Sequence, residues 1–374
     1  MTGRASNGVL APTTPRAGEP LLSRVERVRR REGRVRTEHV TLAHGGGGKA
    51  MRDLIDDVIL GELGQRDHGE LEDQARTPLE ELSSRGDRLA FTTDSYVVTP
   101  LFFPGGDIGR LAVNGTVNDL AVSGAIPLHL SLGLILEEGL PIDDLRRVMR
   151  SVRAAAEIAR VRIVTGDTKV VARGAADKLF INTSGVGVMR RGISPSIRGA
   201  CPGDYVITNG FIGDHGAAIL AARGELALET TVESDTRALG GLIGELVGAC
   251  EVHAMRDATR GGLATVLNEL ALGSDVHVYV DERAVPVRDE VRGMCELLGL
   301  DPLYLANEGN VVFVVAEDSV TRAMELLRAH PHGAGAAVLG RVSASPEGMV
   351  TLRTQLGGER VLDMLVGDQL PRIC

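Results

Sequence analysis

The sequence has few aromatic residues, no tryptophan and no long apolar run, and these absences exclude several classes of protein. Aromatic residues are 3% of 374, so stacking on bases or sugars is not expected to be the main binding device. No apolar stretch approaches the roughly 20 residues that cross a bilayer. Lys and Arg number 41 against 50 Asp and Glu, a net charge of −9. This acidity disfavours a general nucleic-acid binder, because phosphate contacts need a clustered positive surface.

Cysteines are also scarce, and their spacing fits no metal-binding motif. The four of them cannot cross-link a chain of this length. Cys201, Cys250 and Cys295 are predicted to be small buried residues in a reducing cytoplasm. Cys374 differs from them because it is the last residue of the sequence, where a thiol has no packing role to explain it.

Strand and helix patterns alternate along most of the chain and predict two α/β domains of similar size. The Pro- and Gly-rich stretch RRGISPSIRGACPGDYV marks the junction between them. Gly357 and Gly358 are expected to give a C-terminal tail its mobility. The predicted organisation is a disordered arginine-rich leader at 1–36, an N-terminal domain at 37–190, a C-terminal domain at 191–356, and a mobile tail at 357–374 that ends in PRIC.

A run of four glycines precedes Lys49 in the sequence HGGGGK. It is not a Walker A motif, because Ala50 stands where that motif needs Ser or Thr. The backbone N–H groups of Gly47 and Gly48 can still cradle a phosphate, and Lys49 can add a positive charge. A plain flexible linker is an equally good interpretation of this stretch alone.

Five aspartates stand at the ends of predicted strands, at a helix start or inside a helix, often beside Gly, Asn or Thr. They are Asp94, Asp107, Asp119, Asp167 and Asp257. Aspartate in such apolar surroundings must be paired or hydrogen-bonded. Each one alone fits a helix cap or a turn. Together they predict a shared cation site, whose oxygen ligands suit Mg²⁺ that bridges nucleotide phosphates.

Several blocks of the sequence resemble one enzyme superfamily. TTDS, DIGRLAVNGTVNDLAVSGA, GDTKVV, GDHGAA, MRDATRGGL and ANEG are similar to the ATP-binding superfamily of aminoimidazole-ribonucleotide (AIR) synthetase and selenophosphate synthetase. With the ending PRIC, the chain from about residue 38 onward resembles the carbamoyl dehydratases of [NiFe]-hydrogenase maturation, the HypE family. The resemblance implies an α/β, two-domain PurM-like (AIR synthetase-like) fold. It also implies a homodimer paired through the N-terminal halves, with nucleotide sites bordering the interface.

The same resemblance implies an activity and partners. Members of this family receive a carbamoyl group on the terminal cysteine and dehydrate it with ATP to a thiocyanate, the source of the cyanide ligand of the hydrogenase iron. Cys374 would therefore be the acceptor. The partners would be a carbamoyltransferase of the HypF type, which loads the thiol, and an iron-carrying scaffold complex of the HypC–HypD type, which accepts the cyanide.

Roles for other residues follow from the matching blocks. Lys169 and Glu308 would form the proton-handling pair, although a phosphate-contacting lysine and a turn carboxylate stay open as alternatives. His215 either faces the site or fills a turn, and the turn is the favoured interpretation. The predicted Mg²⁺ ligands are Asp94, Asp107, Asp119 and Asp257. The predicted ATP-binding residues are Lys49, Gly47, Gly48, Asp94, Asn118, Asp119, Asp167 and Thr168.

Two other functions stay open. One is another ATP-using enzyme of the superfamily, such as a selenophosphate synthetase or a small-molecule kinase. A selenophosphate synthetase would be expected to carry a reactive cysteine beside the glycine loop, and none lies there. The other is a non-catalytic thiol carrier, which would need no nucleotide turnover.

Overall fold

The computed structural model describes residues 33–65, 71–224, 230–365, 367, 370 and 372–374. The predicted leader lies, as far as residue 32, outside the described residues. The described part divides into two α/β halves, each with its own sheet and core, as the alternating patterns predict. Within it, no helix combines the length and apolarity that a membrane span requires.

The N-terminal half contains a four-stranded mixed sheet in the order β1–β6–β4–β5. β4 and β5 run parallel, and the other two neighbouring pairs are antiparallel. Helix α1 runs through three successive segments, Lys49–Asp53, a π-helical Leu54–Ile59, and Leu60–Glu62. The remaining elements are α2 (Leu79–Ser83), β1 (Arg88–Tyr96), β2 (Phe102–Phe103), β3 (Gly106–Asp107), α3 (Ile108–Val122), β4 (Ala125–Glu137), α4 (Ile142–Ala159), β5 (Arg162–Val171) and β6 (Leu179–Met189).

Helices cover one face of this sheet and leave the other open. On α4, apolar residues at helical spacing, among them Leu145, Met149 and Val152, are fully buried, which explains why this amphipathic sequence forms a helix against the core. β1 alternates in exposure along its length, as expected of a strand with one covered face. Its outward residues include Phe91, which is 71% exposed.

The C-terminal half contains a seven-stranded mixed sheet in the order β13–β12–β9–β11–β7–β10–β8. β12 and β9 run parallel, and the other pairs are antiparallel. Its elements are β7 (Tyr205–Thr208), α5 (Asp214–Arg223), α6 (Gly240–Ala249), β8 (Val252–Asp257), α7 (Gly262–Ser274), β9 (His277–Asp281), α8 (Asp289–Leu298), β10 (Val311–Val315), α9 (Val320–Ala329), β11 (Ala337–Ser343), β12 (Met349–Arg353) and β13 (Glu359–Val361).

Strand β10 shows why an unbroken apolar run forms the centre of this sheet. Val312 and Val314 point into the core that α7 covers, while Phe313 points into the core that α6 and α9 cover. All five residues of the strand are buried. A strand covered on both faces needs apolar side chains at every position, because it has no solvent side.

The predicted tail begins later than the glycine pair suggests. Gly357, at φ +88°, forms the hairpin turn between β12 and β13, and the Thr354 N–H donates to the Gly358 carbonyl. Leu362, immediately after β13, is fully buried. The glycine pair is therefore part of a β-turn, where the positive φ favours glycine, rather than the hinge that the sequence predicted.

Candidate active site

The C-terminal residues are docked against the chain that follows β1. The Val97 N–H donates to the Cys374 carbonyl at 3.1 Å, and the Thr99 N–H donates to the Arg372 carbonyl at 3.2 Å. Cys374 is only 7% exposed and packs with the N-terminal core. A cavity of 420 Å³, lined partly by Arg260 and Tyr304, opens beside the docked residues.

The Cys374 thiol lies in a polar pocket that disfavours its ionisation. Burial raises the pKa of Cys374 to about 11, and the negative charges of Glu308 and Asp94 add to the effect. The Arg260 Nε group donates to the Cys374 Sγ atom at 3.2 Å and opposes the rise. The docked thiol is therefore protonated at neutral pH.

Glu308 is a buried carboxyl group in the loop before β10. Its backbone N–H donates to Asp235 Oδ1 at 2.9 Å, and its Oε1 atom has no hydrogen-bond partner within the described part of the chain. Burial raises the pKa of Glu308 well above its ordinary value. Further increases come from the charges of Asp235, Asp257, Asp94 and Asp119. An unpartnered buried oxygen at this point can accept a proton or a hydrogen bond from a bound group.

Three of the predicted metal ligands meet near Glu308. Asp94 lies near the end of β1, Asp119 in the last turn of α3, and Asp257 at the end of β8. The pKa of Asp119 rises to about 7, through burial first and then through the charges of Asp257 and Asp94. Thr92 donates a hydrogen bond to Asp119 at 3.0 Å. Carboxylates that repel one another in a partly buried site fit a divalent cation such as Mg²⁺, whose charge relieves that repulsion.

Asp107 lies apart from these carboxylates, so the predicted set of four Mg²⁺ ligands is reduced to three within one chain. Its side chain caps α3 by accepting the N–H groups of Gly109 at 2.8 Å and Arg110 at 3.1 Å. Asp119 lies twelve positions further along the same helix, which is roughly 18 Å. Asp107 therefore has the helix-capping role that each aspartate alone could have had.

Asn118 holds backbone rather than pointing into open space. Its Nδ2 group donates to the Arg237 carbonyl at 2.9 Å, and its Oδ1 atom accepts the Leu239 N–H at 2.8 Å. The same amide donates to the Glu308 carbonyl at 3.4 Å. Asn118 thus ties α3 of the N-terminal half to the loops of the C-terminal half that carry Glu308.

The remaining predicted residues lie on a different part of the N-terminal half. Lys49 forms an ion pair with Asp53 at 2.7 Å, and Lys169 forms one with Asp167 at 2.8 Å. The glycine loop packs on β5, since a Cβ at Gly45 would lie 2.9 Å from Val170. β1 and β5 are three strand spacings apart in the sheet, roughly 14 Å.

The structure therefore divides the predicted site into two groups. The thiol cluster consists of Cys374, Arg260, Glu308, Asp94, Asp119 and Asp257. The glycine-loop group consists of Gly47, Gly48, Lys49, Asp167, Thr168 and Lys169. Thr168 alone among this second group is buried, whereas a Cβ at Gly47 or Gly48 would meet nothing within 4 Å.

Sequence reasoning missed three residues that hold the thiol cluster together. Arg260 lies in the matching block MRDATRGGL, and the flanking glycines were a signal that this side chain faces a ligand. His215 is fully buried and bonds the tail, so its interpretation as a turn residue was wrong. Asp235 accepts the N–H groups of Glu308 and Gly309, and nothing in its sequence surroundings marked it.

The other cysteines differ in exposure. Cys295 is buried as predicted and Cys250 is half-buried, but Cys201 is exposed, so the prediction was wrong for Cys201. Cys201 lies near Asp204 and His253. The Asp204 Oδ2 atom already accepts from both the Cys201 N–H and His253 Nδ1, so this trio is satisfied by its own hydrogen bonds.

Comparisons with known proteins agree with the two-domain architecture. Residues 72–189 match the family model "AIR synthase related protein, N-terminal domain", and residues 201–353 match "AIR synthase related protein, C-terminal domain". The carbamoyl dehydratase HypE of Rhodobacter capsulatus is 56% identical over 341 residues, which are 91% of this chain and 99% of that protein.

Solved structures give the same picture. A crystal structure of the hydrogenase maturation protein HypE in complex with ATP is 49% identical, with a TM-score of 0.84, and the match covers 89% of this chain and 99% of that one. A crystal structure of a HypE–HypF complex is 47% identical, with a TM-score of 0.71, over 74% of this chain and 90% of that one.

Proposed function

The chain belongs to the HypE family of carbamoyl dehydratases, and we propose that it dehydrates an S-carbamoyl group on its own Cys374 to an S-cyanate in an ATP-dependent reaction. The observation that carries this proposal is the docked position of the terminal thiol. The Cys374 thiol is buried beside Arg260, three clustered aspartates and Glu308, whose Oε1 atom has no hydrogen-bond partner among the described residues.

The reaction removes one oxygen and two protons from the carbamoyl group. Transfer of the terminal phosphoryl group of ATP to the carbamoyl oxygen makes that oxygen a leaving group and releases one proton from the nitrogen. Cleavage of the C–O bond then releases phosphate, while the second N–H proton is removed and the C≡N bond forms. The products are ADP, phosphate and S–C≡N, and the carbamoyl oxygen leaves as one of the oxygens of the phosphate.

Glu308 supports the proton-handling role better than Lys169 does within one chain. Its charge acts directly on the Cys374 thiol, and its raised pKa makes it a stronger base once it has lost its proton. Lys169 is 65% exposed and paired with Asp167. We propose that Glu308 takes a proton from the carbamoyl nitrogen, and that Lys169 serves a site reached from the open sheet face.

The thiol cluster and the glycine-loop group suit different parts of the nucleotide. Asp94, Asp119 and Asp257 would hold Mg²⁺, which supplies charge stabilisation for the transferred phosphoryl group. The open backbone N–H groups of the glycine loop and Lys49 would bind phosphate oxygens. Thr168 and Asp167 line an apolar cavity of 410 Å³ between α1 and the sheet, which offers a neighbouring surface for the rest of the nucleotide.

The open face of the four-stranded sheet supports a homodimer. Leu89, Phe91 and Ile135 are 61%, 71% and 41% exposed on it, and several apolar side chains on one open face suit an interaction surface. A second copy of this chain that covers the face would bring the glycine-loop group of one copy towards the thiol cluster of the other. Phe91→Asp is expected to give a monomer in light scattering, whereas Leu356→Asp, at a 98% exposed position, leaves the dimer intact. A wild-type monomer would overturn this proposal.

The partners follow from the relatives. A related HypE has been crystallised with HypF, so we propose a HypF-type carbamoyltransferase as the enzyme that loads Cys374. The product would pass to an iron-carrying complex of the HypC–HypD type in the cytoplasm. Both partners need access to the same thiol, which is reachable only when the tail leaves its docked position.

Intact mass of the C-terminal peptide tests the proposed reaction. The protein is incubated with the carbamoyltransferase and carbamoyl phosphate, with and without Mg-ATP. The expected result is a carbamoyl adduct on Cys374 that loses one water only when Mg-ATP is present. An adduct that never loses water would indicate a carrier. Absence of any adduct would favour another ATP-using enzyme of the superfamily.

A further inference from the structure

The last three residues of the chain are held through side chains, as in the Arg372–Asp177 ion pair and the Arg260–Cys374 contact, and also through their backbone. Main-chain N–H groups of Val97 and Thr99 donate to the carbonyls of Cys374 and Arg372. The Ile373 carbonyl lies between these two in the sequence and makes a different contact. It accepts a hydrogen bond from the Nε2 atom of His215 at 2.7 Å.

His215 is fixed on its other side as well. Its Nδ1 atom lies 2.8 Å from the Ser234 hydroxyl oxygen, and its ring meets the edge of Phe103 at 86° with a centroid distance of 5.6 Å. Because a carbonyl oxygen only accepts, the Nε2 atom carries the proton and Nδ1 accepts from Ser234. The imidazole is fully buried, so its orientation is set by these contacts.

We propose that His215 is a positioning residue that latches the C-terminal tail, so that its bond to the Ile373 carbonyl determines how much of the time Cys374 lies in the thiol cluster. The recognition is of backbone, one residue away from the thiol, and therefore works for the free, carbamoylated and cyanated tail alike. Burial lowers the pKa of His215 despite the nearby Asp235 charge and the Ile373 bond, so the neutral donor form is the resting form.

The reaction cycle places two opposing requirements on the tail, and the His215 latch affects both. Loading and delivery need Cys374 in solvent, whereas dehydration needs it beside Glu308 and Arg260. Weakening the Ile373 bond is therefore expected to raise the accessibility of the thiol and to slow dehydration at the same time. A residue that only supported the fold would raise the reactivity of the buried Cys295 as well.

The test compares two amide substitutions of His215. Glutamine places its amide nitrogen near the position of Nε2 and can still reach the Ile373 carbonyl. Asparagine places its amide near Nδ1, where it can reach Ser234 but not Ile373. The pair His215→Asn and His215→Gln therefore removes and restores one hydrogen bond in otherwise similar variants.

Alkylation of the full-length protein by iodoacetamide, followed by peptide mass analysis, gives the readout. In His215→Asn, Cys374 is expected to react about tenfold faster than in the wild type, the effect of losing one buried hydrogen bond on a two-state equilibrium. In His215→Gln the rate should return towards the wild-type value. The exposed Cys201 and the buried Cys295 serve as internal references for reagent activity and for an intact fold.

An unchanged Cys374 rate in His215→Asn, with Cys295 still protected, would overturn the latch. Equal acceleration in the Asn and Gln variants would also overturn it, because the Ile373 bond would then not be the cause. If Cys295 becomes reactive in the Asn variant, the Ser234→Ala variant is used to test the latch instead. This substitution keeps the imidazole but removes the hydroxyl that orients it. A threefold or larger rise in the alkylation rate of Cys374 supports the latch, and an unchanged rate contradicts it.

The catalytic consequence rests on the proposed function, but the alkylation does not. In the carbamoylated His215→Asn protein, dehydration of the carbamoyl group with Mg-ATP should be about tenfold slower than in the wild type. The rate at which Cys374 is carbamoylated should not fall. Because alkylation needs neither ATP nor a carbamoyl donor, a failed dehydration assay with an intact alkylation difference would contradict the proposed function and leave the latch standing.

Discussion

The thiol cluster and the glycine-loop group both contain charged side chains, yet their key charged side chains differ sharply in burial. Glu308 and Cys374 are 6% and 7% exposed, and they are held by bonds from residues far away in the sequence. Lys49 and Lys169 are 77% and 65% exposed, and each pairs with an aspartate four or two positions away. The difference indicates that the chain alone organises the thiol and proton chemistry but leaves its cations in solvent for an incoming anion or a second copy.

The largest expected effect comes from removing the nucleophile of the thiol cluster. Cys374→Ser should abolish carbamoylation and dehydration, because a hydroxyl has no comparable nucleophilicity at neutral pH, while ATP affinity stays near the wild-type value. Intact mass and equilibrium nucleotide binding measure the two quantities. Cys250→Ser is the matched control and should behave as wild type. If the Cys374→Ser protein still accumulated the carbamoyl adduct, another residue would be the acceptor.

Glu308→Gln should give the next largest effect. The amide cannot take a proton, so dehydration of the carbamoylated protein is expected to slow by about 100-fold, a typical loss for a general base. Loading of Cys374 should continue. Single-turnover measurement of water loss checks this, with Glu317→Gln, at an exposed ion pair with Arg341, as the control. A rate within threefold of wild type would remove Glu308 from proton transfer and return attention to Lys169.

The buried surroundings of Cys374 also predict a pH dependence. Because burial and the charges of Glu308 and Asp94 raise the pKa of this thiol to about 11, its thiolate forms only as the pH approaches that value. A small free thiol such as cysteine, with an ordinary pKa near 8.5, serves as the reference and should be alkylated half-maximally at lower pH. Glu308→Gln removes one negative charge and should shift the Cys374 profile downward. Coincident profiles for Cys374 and the free thiol would show that the tail is mostly undocked.

Substitution of Lys49 in the glycine-loop group is expected to have the smallest effect, because it should hardly change the stability of the fold. The Lys49–Asp53 pair is exposed, and exposed pairs contribute about 1 kcal/mol or less. Lys49→Ala is therefore expected to leave the denaturant midpoint almost unchanged while it weakens ATP binding, because the lysine is available to a phosphate. Arg322→Ala, which breaks another exposed helical pair, is the control for both measurements. A large loss of stability would place Lys49 in the fold rather than in the site.

Local patterns were sufficient to predict the two α/β domains and to mark the aspartates as candidate site residues. The alternation of strand and helix patterns predicts the two domains, because each pattern is set by residues close together in the sequence. Asp94, Asp119 and Asp257 meet because strand and helix ends converge at one edge of the sheets. Each of these features depends on periodicity or on local flanking residues, which the sequence displays directly.

Residues whose roles depend on distant partners could not be predicted in the same way. His215 and Ile373 are 158 positions apart, and Arg260 and Cys374 are 114 apart. No periodicity records such contacts. Asp107 shows the opposite case, because a local contact decides its role. The matching motif suggested a metal ligand, but the side chain caps a helix by accepting two N–H groups. A single sequence displays both alternatives equally well.

The buried side chain of Leu362 limits how far the thiol can travel. Cys374 lies twelve residues beyond it, and a fully extended chain of that length spans about 40 Å. The sulfur therefore works on a short tether that keeps it at a high effective concentration near its own pocket. A loading enzyme and a cyanide acceptor must each bring their reactive atoms inside this radius, so they compete for the same side of the protein and are expected to visit it in turn.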